Sequence, residues 1–173
     1  MNRRDFLKMA GVSGVAASLG SVIYRASHWW NQPSAASYDV LSREEVEIAR
    51  AIGDALFPGE DYMQGGMPNG VDAGVVEHLD GYLAAVNPDS SRLLRLLFHA
   101  IDDVAILSDF GFTRFRNRPR EERIAILKAW DNSKIAFRRK AFRGLKLILA
   151  GGFCSHPEVR QAIGMHFRCG GPA

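Results

Sequence analysis

Beyond residue 40, apolar residues recur at intervals of three and four and hardly any stretch alternates with period two, so the chain is restricted to packed helices. The first helix is announced by Leu41-Ser42-Arg43-Glu44-Glu45-Val46. Ser42 can accept from the N–H of Glu45, the Glu45 side chain can reach back, and Leu41 can pack on Val46, a capping box with its hydrophobic staple. Val46, Ala49, Ile52 and Leu56 then share one face until Pro58 ends the run. A loop rich in glycine and proline follows (PGEDYMQGGMPNG), of a length that is usually functional or mobile. Asp72 is the expected N-cap of a second helix carrying Val75, Val76, Leu79, Leu83 and Val86, and Asn87-Pro88-Asp89 opens a third with Leu93, Leu97, Ile101 and Val104. Pro119, Glu121 and Glu122 suit the first turn of a fourth, where acids meet the positive end of the helix dipole. A fifth is expected from about Ser133 to a stop at Gly151-Gly152, and Ser155-His156-Pro157 caps a short sixth. The fold expected is all-α, a compact bundle of five to six helices following an N-terminal signal segment.

That segment is set aside first. Asn2-Arg3-Arg4-Asp5-Phe6-Leu7-Lys8 matches the twin-arginine export pattern, with Arg3, Arg4, Phe6, Leu7 and Lys8 at its characteristic positions. The apolar run behind it, Met9 to Tyr24, is diluted by Gly and Ser and falls short of the roughly 20 residues that span a bilayer comfortably. Small residues at Ser34-Ala35-Ala36 give a processing position, and the chain is divided into residues 1–36, signal and linker, and 37–173, one helical domain.

Charge is read after that division. The chain holds 22 Lys plus Arg against 19 Asp plus Glu, but four of the bases and one acid lie in residues 1–36. The remainder is balanced, which argues against nucleic acid as a partner. The balance hides a segregation: residues 37–112 hold four bases and fourteen acids, residues 113–173 fourteen bases and four acids. The halves can attract each other, face different partners, or simply be solvated helix faces.

Motifs for chemistry are missing. His28, His78, His99, His156 and His166 have no second ligand at helical spacing, and Cys154 and Cys169 form neither a CxxC nor a CxxCH haem-attachment signature. No phosphate-binding glycine loop or GxSxG elbow occurs. Asp102-Asp103 with Asp109 reads as helix-surface and capping acids, His99 as a buried hydrogen-bonded histidine, and Trp130 as core. A chain using the route for folded, cofactor-loaded cargo, without a cofactor motif of its own, suggests an escort for a partner.

The stretches LSREEVEIARAIGDALFPGED, DAGVVEHLDGYLA, RLLRLLFHAIDDVA, REERIAILKAW and LKLILAGGFCSHPEVRQAIGMHFRCGGPA, in that order, resemble the gluconate 2-dehydrogenase subunit 3 family over nearly the whole chain. The resemblance implies a small noncatalytic subunit of a periplasmic dehydrogenase complex. In such a complex a large flavoprotein of the glucose-methanol-choline type oxidises a sugar or alcohol with FAD. A multihaem cytochrome c subunit carries the electrons onward with haem c, and the complex is attached to the inner membrane through a partner. The small subunit, without a cofactor, catalytic residue or metal site of its own, would supply the signal read by the twin-arginine translocase and help the flavoprotein mature. Candidate interface residues are Phe110, Phe112 and Phe115, apolar anchors beside Arg114 and Arg116, with buried core as the competing reading, and the loop from Pro58 to Gly70. In an oxidising periplasm Cys154 and Cys169 are expected to pair, with each other or with the large subunit, the internal bridge being the first expectation. Two readings of other classes stand beside this one: a free-standing periplasmic enzyme built on scattered residues such as Asp102, Asp103 and His99, and a membrane-retained helical scaffold with an uncleaved N-terminus.

Overall fold

A computed structural model describes residues 32–59, 67–108 and 113–165 of the chain. Arg3, Arg4, Phe6, Leu7 and Lys8 of the signal, Phe110, Phe112, Cys169 and most of the loop from Pro58 to Gly70 lie outside the described residues. The described part holds six α-helices: α1 (Arg43–Leu56), α2 (Val75–Ala85), α3 (Pro88–Ser108), α4 (Arg120–Asp131), α5 (Ala136–Ser155) and α6 (Pro157–Ala162). A 3-10 turn, Phe115–Asn117, precedes α4. The all-α bundle expected from periodicity is the fold observed. Among the described residues no helix is long and apolar enough to cross a membrane.

The capping box forms as the sequence demands. The Ser42 hydroxyl accepts from Glu45 N–H at 3.4 Å and Ser42 N–H donates to Glu45 Oε2 at 2.9 Å. Apolar residues occupy more of α1 than one stripe, because Ile48, Ala51 and Ala55 are buried along with Val46, Ala49 and Ile52. The reason is position: α1 packs against α2, α3, α4 and the 3-10 turn, so most of its circumference faces protein. On the other side of the bundle, α5 packs on α2 and α4 and sends Phe142, Leu145, Leu149 and Phe153 inward. Phe153 stacks on Phe57 with ring centroids 4.3 Å apart, and Trp130 of α4 meets Phe142 at 6.4 Å.

Three helix boundaries differ from the sequence reading. At the start of α2 the N-cap is Gly74 with φ 72°, a left-handed conformation that glycine adopts without steric cost. The turn leading to it is organised by Asn69, whose Oδ1 accepts from the N–H groups of Val71 and Asp72, so Asp72 belongs to the turn and does not cap the helix. The fifth helix begins after the N-cap Ile135, and the Ser133 hydroxyl accepts from Ile135 N–H one step earlier. Its expected stop at Gly151-Gly152 is no stop: α5 continues to Ser155. A Cβ on Gly152 would lie 2.8 Å from the Cβ and Cγ of His78, so this glycine serves the close crossing of α5 over α2.

The compact unit that contains the helices begins at Ser34. Ser34 pairs with Ser42 in an isolated antiparallel bridge, and Ala35 N–H donates to Leu41 C=O at 2.8 Å. The buried Asp80 of α2 secures this strap, its carboxylate accepting from the N–H groups of Asp39, Val40 and Leu41 at 2.7, 3.0 and 2.9 Å. Residues 34–36, assigned from the sequence to the linker, are therefore built into the folded unit.

Candidate functional site

The densest gathering of charged side chains lies where α1 meets α3, the 3-10 turn and α4. Glu45, only 1% exposed, uses one carboxylate oxygen for its own helix cap and offers the other to Arg95 Nε at 2.7 Å. His99 Nε2, one turn further along α3, lies 3.4 Å from the same oxygen. Burial opposes ionisation of Glu45, but the hydrogen bonds from His99, Arg95 and the Ser42 backbone outweigh it and hold the carboxyl at about 2. Its neighbour Glu44 gathers two guanidinium groups, Arg114 Nη1 and Arg116 Nη2, each at 2.8 Å. Burial raises the Glu44 carboxyl, and the hydrogen bond and charge of Arg116 bring it below the usual carboxylate range.

Two further carboxylates complete the seam. Asp54, near the end of α1, receives Arg120 and Arg123 of α4, the latter at 2.7 Å, while Arg123 Nη1 also donates to Ala51 C=O at 3.0 Å. Asp102 of α3 accepts from Arg116 N–H at 3.0 Å. Burial pushes the Asp102 carboxyl up, an effect that this hydrogen bond and the Arg116 charge offset only in part. Beside the seam opens a cleft of about 470 Å3 lined by Glu47, Arg50, Asp54, Asp72, Arg116 and Arg123, among others. A more apolar recess of about 320 Å3 lies between the end of α1, α4 and α5. The cleft mixes both signs of charge, and its Asp54, Arg116 and Arg123 already have partners within the fold. Among the described residues no group of three His, Cys, Asp or Glu is placed to hold a metal ion.

The structure disperses the residues singled out from the sequence. Phe115 is 0% exposed, a core residue of this fold and not a surface anchor, because the 3-10 turn packs it against α1 and α3. Arg114 and Arg116 beside it point to Glu44, and Arg118 donates to Thr113 C=O at 3.2 Å and Glu122 at 3.2 Å. Of the alternatives left open for the charge segregation, attraction between the halves is what these pairs show: acids of α1 meet arginines of the second half. Asp102, expected on a helix surface, is 1% exposed and fastens the 3-10 turn to α3. His99 is buried as expected and faces Glu45, so His99 and Asp102 have different partners. Cys154 is half-buried with a free thiol, no disulfide forms among the described residues, and Cys169 lies outside them. Sequence reasoning missed Arg95 and Asp54, which carry the buried pair and the arginine clamp. Their signal was faint, since Arg95 follows Leu93 and Leu94 in an apolar helix and Asp54 sits one turn before the helix end.

Comparison with known proteins supplies what geometry alone does not. No curated protein and no solved structure matches the chain. The N-terminus matches the TAT (twin-arginine translocation) pathway signal sequence over residues 1–20, which marks the chain for export across the membrane. Residues 43–169 match the family described as gluconate 2-dehydrogenase subunit 3. The chain belongs to that family, whose members are a subunit of a multi-subunit dehydrogenase.

Proposed function

We propose that this chain is the noncatalytic small subunit of a periplasmic FAD-dependent sugar or alcohol dehydrogenase complex, the export escort and maturation partner of the large flavoprotein. The observation that carries this reading is the coincidence in one chain of the subunit 3 match with a twin-arginine signal. The twin-arginine route carries folded cargo, so a signal on the small subunit can bring a flavoprotein that has already closed around FAD. The charged seam supports a scaffold role: Glu44, Glu45, Asp54 and Asp102 each hold a guanidinium group or backbone N–H that fixes one element against another. Electrons would leave the flavoprotein through a multihaem cytochrome c subunit, and the complex would be held at the inner membrane by a partner.

The test is an affinity capture of the tagged chain from periplasm with an absorbance spectrum of the retained material, repeated with Arg3→Lys and Arg4→Lys together. A flavin spectrum with the wild-type chain, lost from the periplasm in the double variant, is the expected result. A colourless, solitary chain would overturn the reading.

A further inference from the structure

The outward face of α5 breaks the rule that a solvent-facing helix surface is polar. At the period of 3.6 this face carries Phe137, Lys140, Gly144, Leu147 and Gly151, opposite the buried Phe142, Leu145, Leu149 and Phe153. Phe137 is 79% exposed and Leu147 75%, the two most exposed large apolar side chains of the described residues. They stand ten positions apart, about 15 Å along the helix axis. Between them Gly144 has no heavy atom within 4 Å of where a Cβ would sit, so nothing inside this fold requires a glycine there. Glycine weakens a helix interior, and its use in one is close approach of another backbone. The rim is of one sign: α5 contains Arg138, Arg139, Lys140, Arg143 and Lys146 and no acid.

We infer that this face of α5, with Phe137 and Leu147 as anchors and Gly144 as the notch between them, is the seat of the flavoprotein subunit. The inference rests on the function proposed above. The matching surface on that partner is a ridge of backbone or small side chains that enters at Gly144, flanked by two apolar sockets and a rim of carboxylates facing Lys140 and Arg143. Exposed aromatic and aliphatic anchors within a charged rim are the pattern of a protein interface. A basic apolar helix could also lie on anionic lipid, but a membrane gains nothing from a glycine between the anchors, whereas a folded partner does.

The experiment expresses the full chain together with its dehydrogenase subunits and measures flavin absorbance per tagged chain after affinity purification. Wild type is compared with Phe137→Ser/Leu147→Ser and with Gly144→Gln. Melting of each free chain shows that it folds, and these exposed positions leave the core untouched. Losing two anchors is expected to lower retention about tenfold or more, and to make the remainder salt-sensitive. Gly144→Gln is expected to lower retention while raising the melting temperature of the free chain, a split that a purely structural role would not produce. Undiminished retention in both variants, with wild type retaining the flavoprotein, would overturn this face and leave the proposed function standing. A wild-type chain that retains no flavoprotein would overturn both. Self-association, or binding to phosphatidylglycerol vesicles, that is lost in the double variant while flavoprotein is still retained would replace the flavoprotein with a second copy or a lipid surface.

Discussion

The seam along α1 and the outward face of α5 solve opposite problems with the same kinds of side chain. Along α1, charged groups are turned inward and matched: Glu45 to Arg95, Glu44 to Arg114 and Arg116, Asp54 to Arg120 and Arg123. On α5, apolar groups are turned outward beside cations, and Lys140 makes no ion pair with the described residues. The difference teaches where to look for a partner in a chain of this kind. A cluster of arginines beside phenylalanines reads as a binding edge in sequence, yet in the fold it closes the molecule on itself. The surface left for a partner is marked instead by a failure of amphipathicity in one helix.

The largest separation between the two regions is expected from Glu45→Ala. It leaves Arg95 without its carboxylate, removes half of the capping box of α1 and opens space in the core. Breaking a buried pair by removing one partner costs about 3–5 kcal/mol, which denaturant unfolding of the free chain would measure. Phe137→Ser on the other region should leave that same unfolding curve within about 0.5 kcal/mol. An equal loss in both would erase the distinction drawn between them.

Acid sharpens the same contrast. The Glu45 carboxyl ionises at about 2 in the folded chain against a model value of 4.5. A depressed folded value contributes stability that is complete above the unfolded value and is lost as pH falls through the folded one. Glu45 therefore contributes about 3 kcal/mol at neutral pH, disappearing between about pH 4.5 and 2. The Glu44 carboxyl, also lowered, adds in the same direction. The raised Asp102 carboxyl works the other way, favouring the folded chain when protonated and losing that contribution as pH rises. Glu45→Gln should flatten the acid limb of the stability curve, and Asp102→Asn should remove the opposing part and leave the limb steeper. An acid limb unchanged by Glu45→Gln would show that the buried pair does not set it.

Asp54→Asn is a smaller break at the edge of the seam. It weakens two charge-assisted hydrogen bonds that hold α4 against α1, both more exposed than the Glu45 pair, for an expected loss of about 1–2 kcal/mol. High salt should reduce the difference between wild type and variant, because partly exposed pairs are screened. A difference that salt leaves unchanged would place its origin in packing.

These contrasts also show what a sequence can and cannot reveal. Local chemistry was legible: Ser42 and Glu45 cap α1 through bonds spanning three residues, Asn87 caps α3 by accepting from Ser90 N–H at 2.8 Å, and Pro157 stands in the first turn of α6. What was not legible depends on contacts made far along the chain. Gly152 looks like a helix stop until His78, seventy-odd residues earlier, is seen beneath it. Asp80 looks like any helix acid until three N–H groups of the strap converge on it. Phe115 and Phe137 are equally apolar in sequence, and only packing shows that one fills the core and the other faces outward. Segregated charge was visible, but the choice between self-pairing and partner-pairing needed the distances across α1.

The smallest expected effect carries the most information about the outward face. Gly144→Ala adds one methyl group where no neighbour lies within 4 Å and replaces a residue that costs helical order. The free chain should gain about 0.5–1 kcal/mol, read as a small rise in melting temperature. If α5 merely faced water, nothing would oppose that gain, and the assembled complex would gain as much. If a backbone of the flavoprotein enters at Gly144, the methyl group meets it, and the dissociation rate rises while the free chain is more stable. Stability and assembly then move in opposite directions from a single carbon atom, whereas every substitution along the α1 seam should move them together, since a partner cannot bind a subunit whose own helices have come apart.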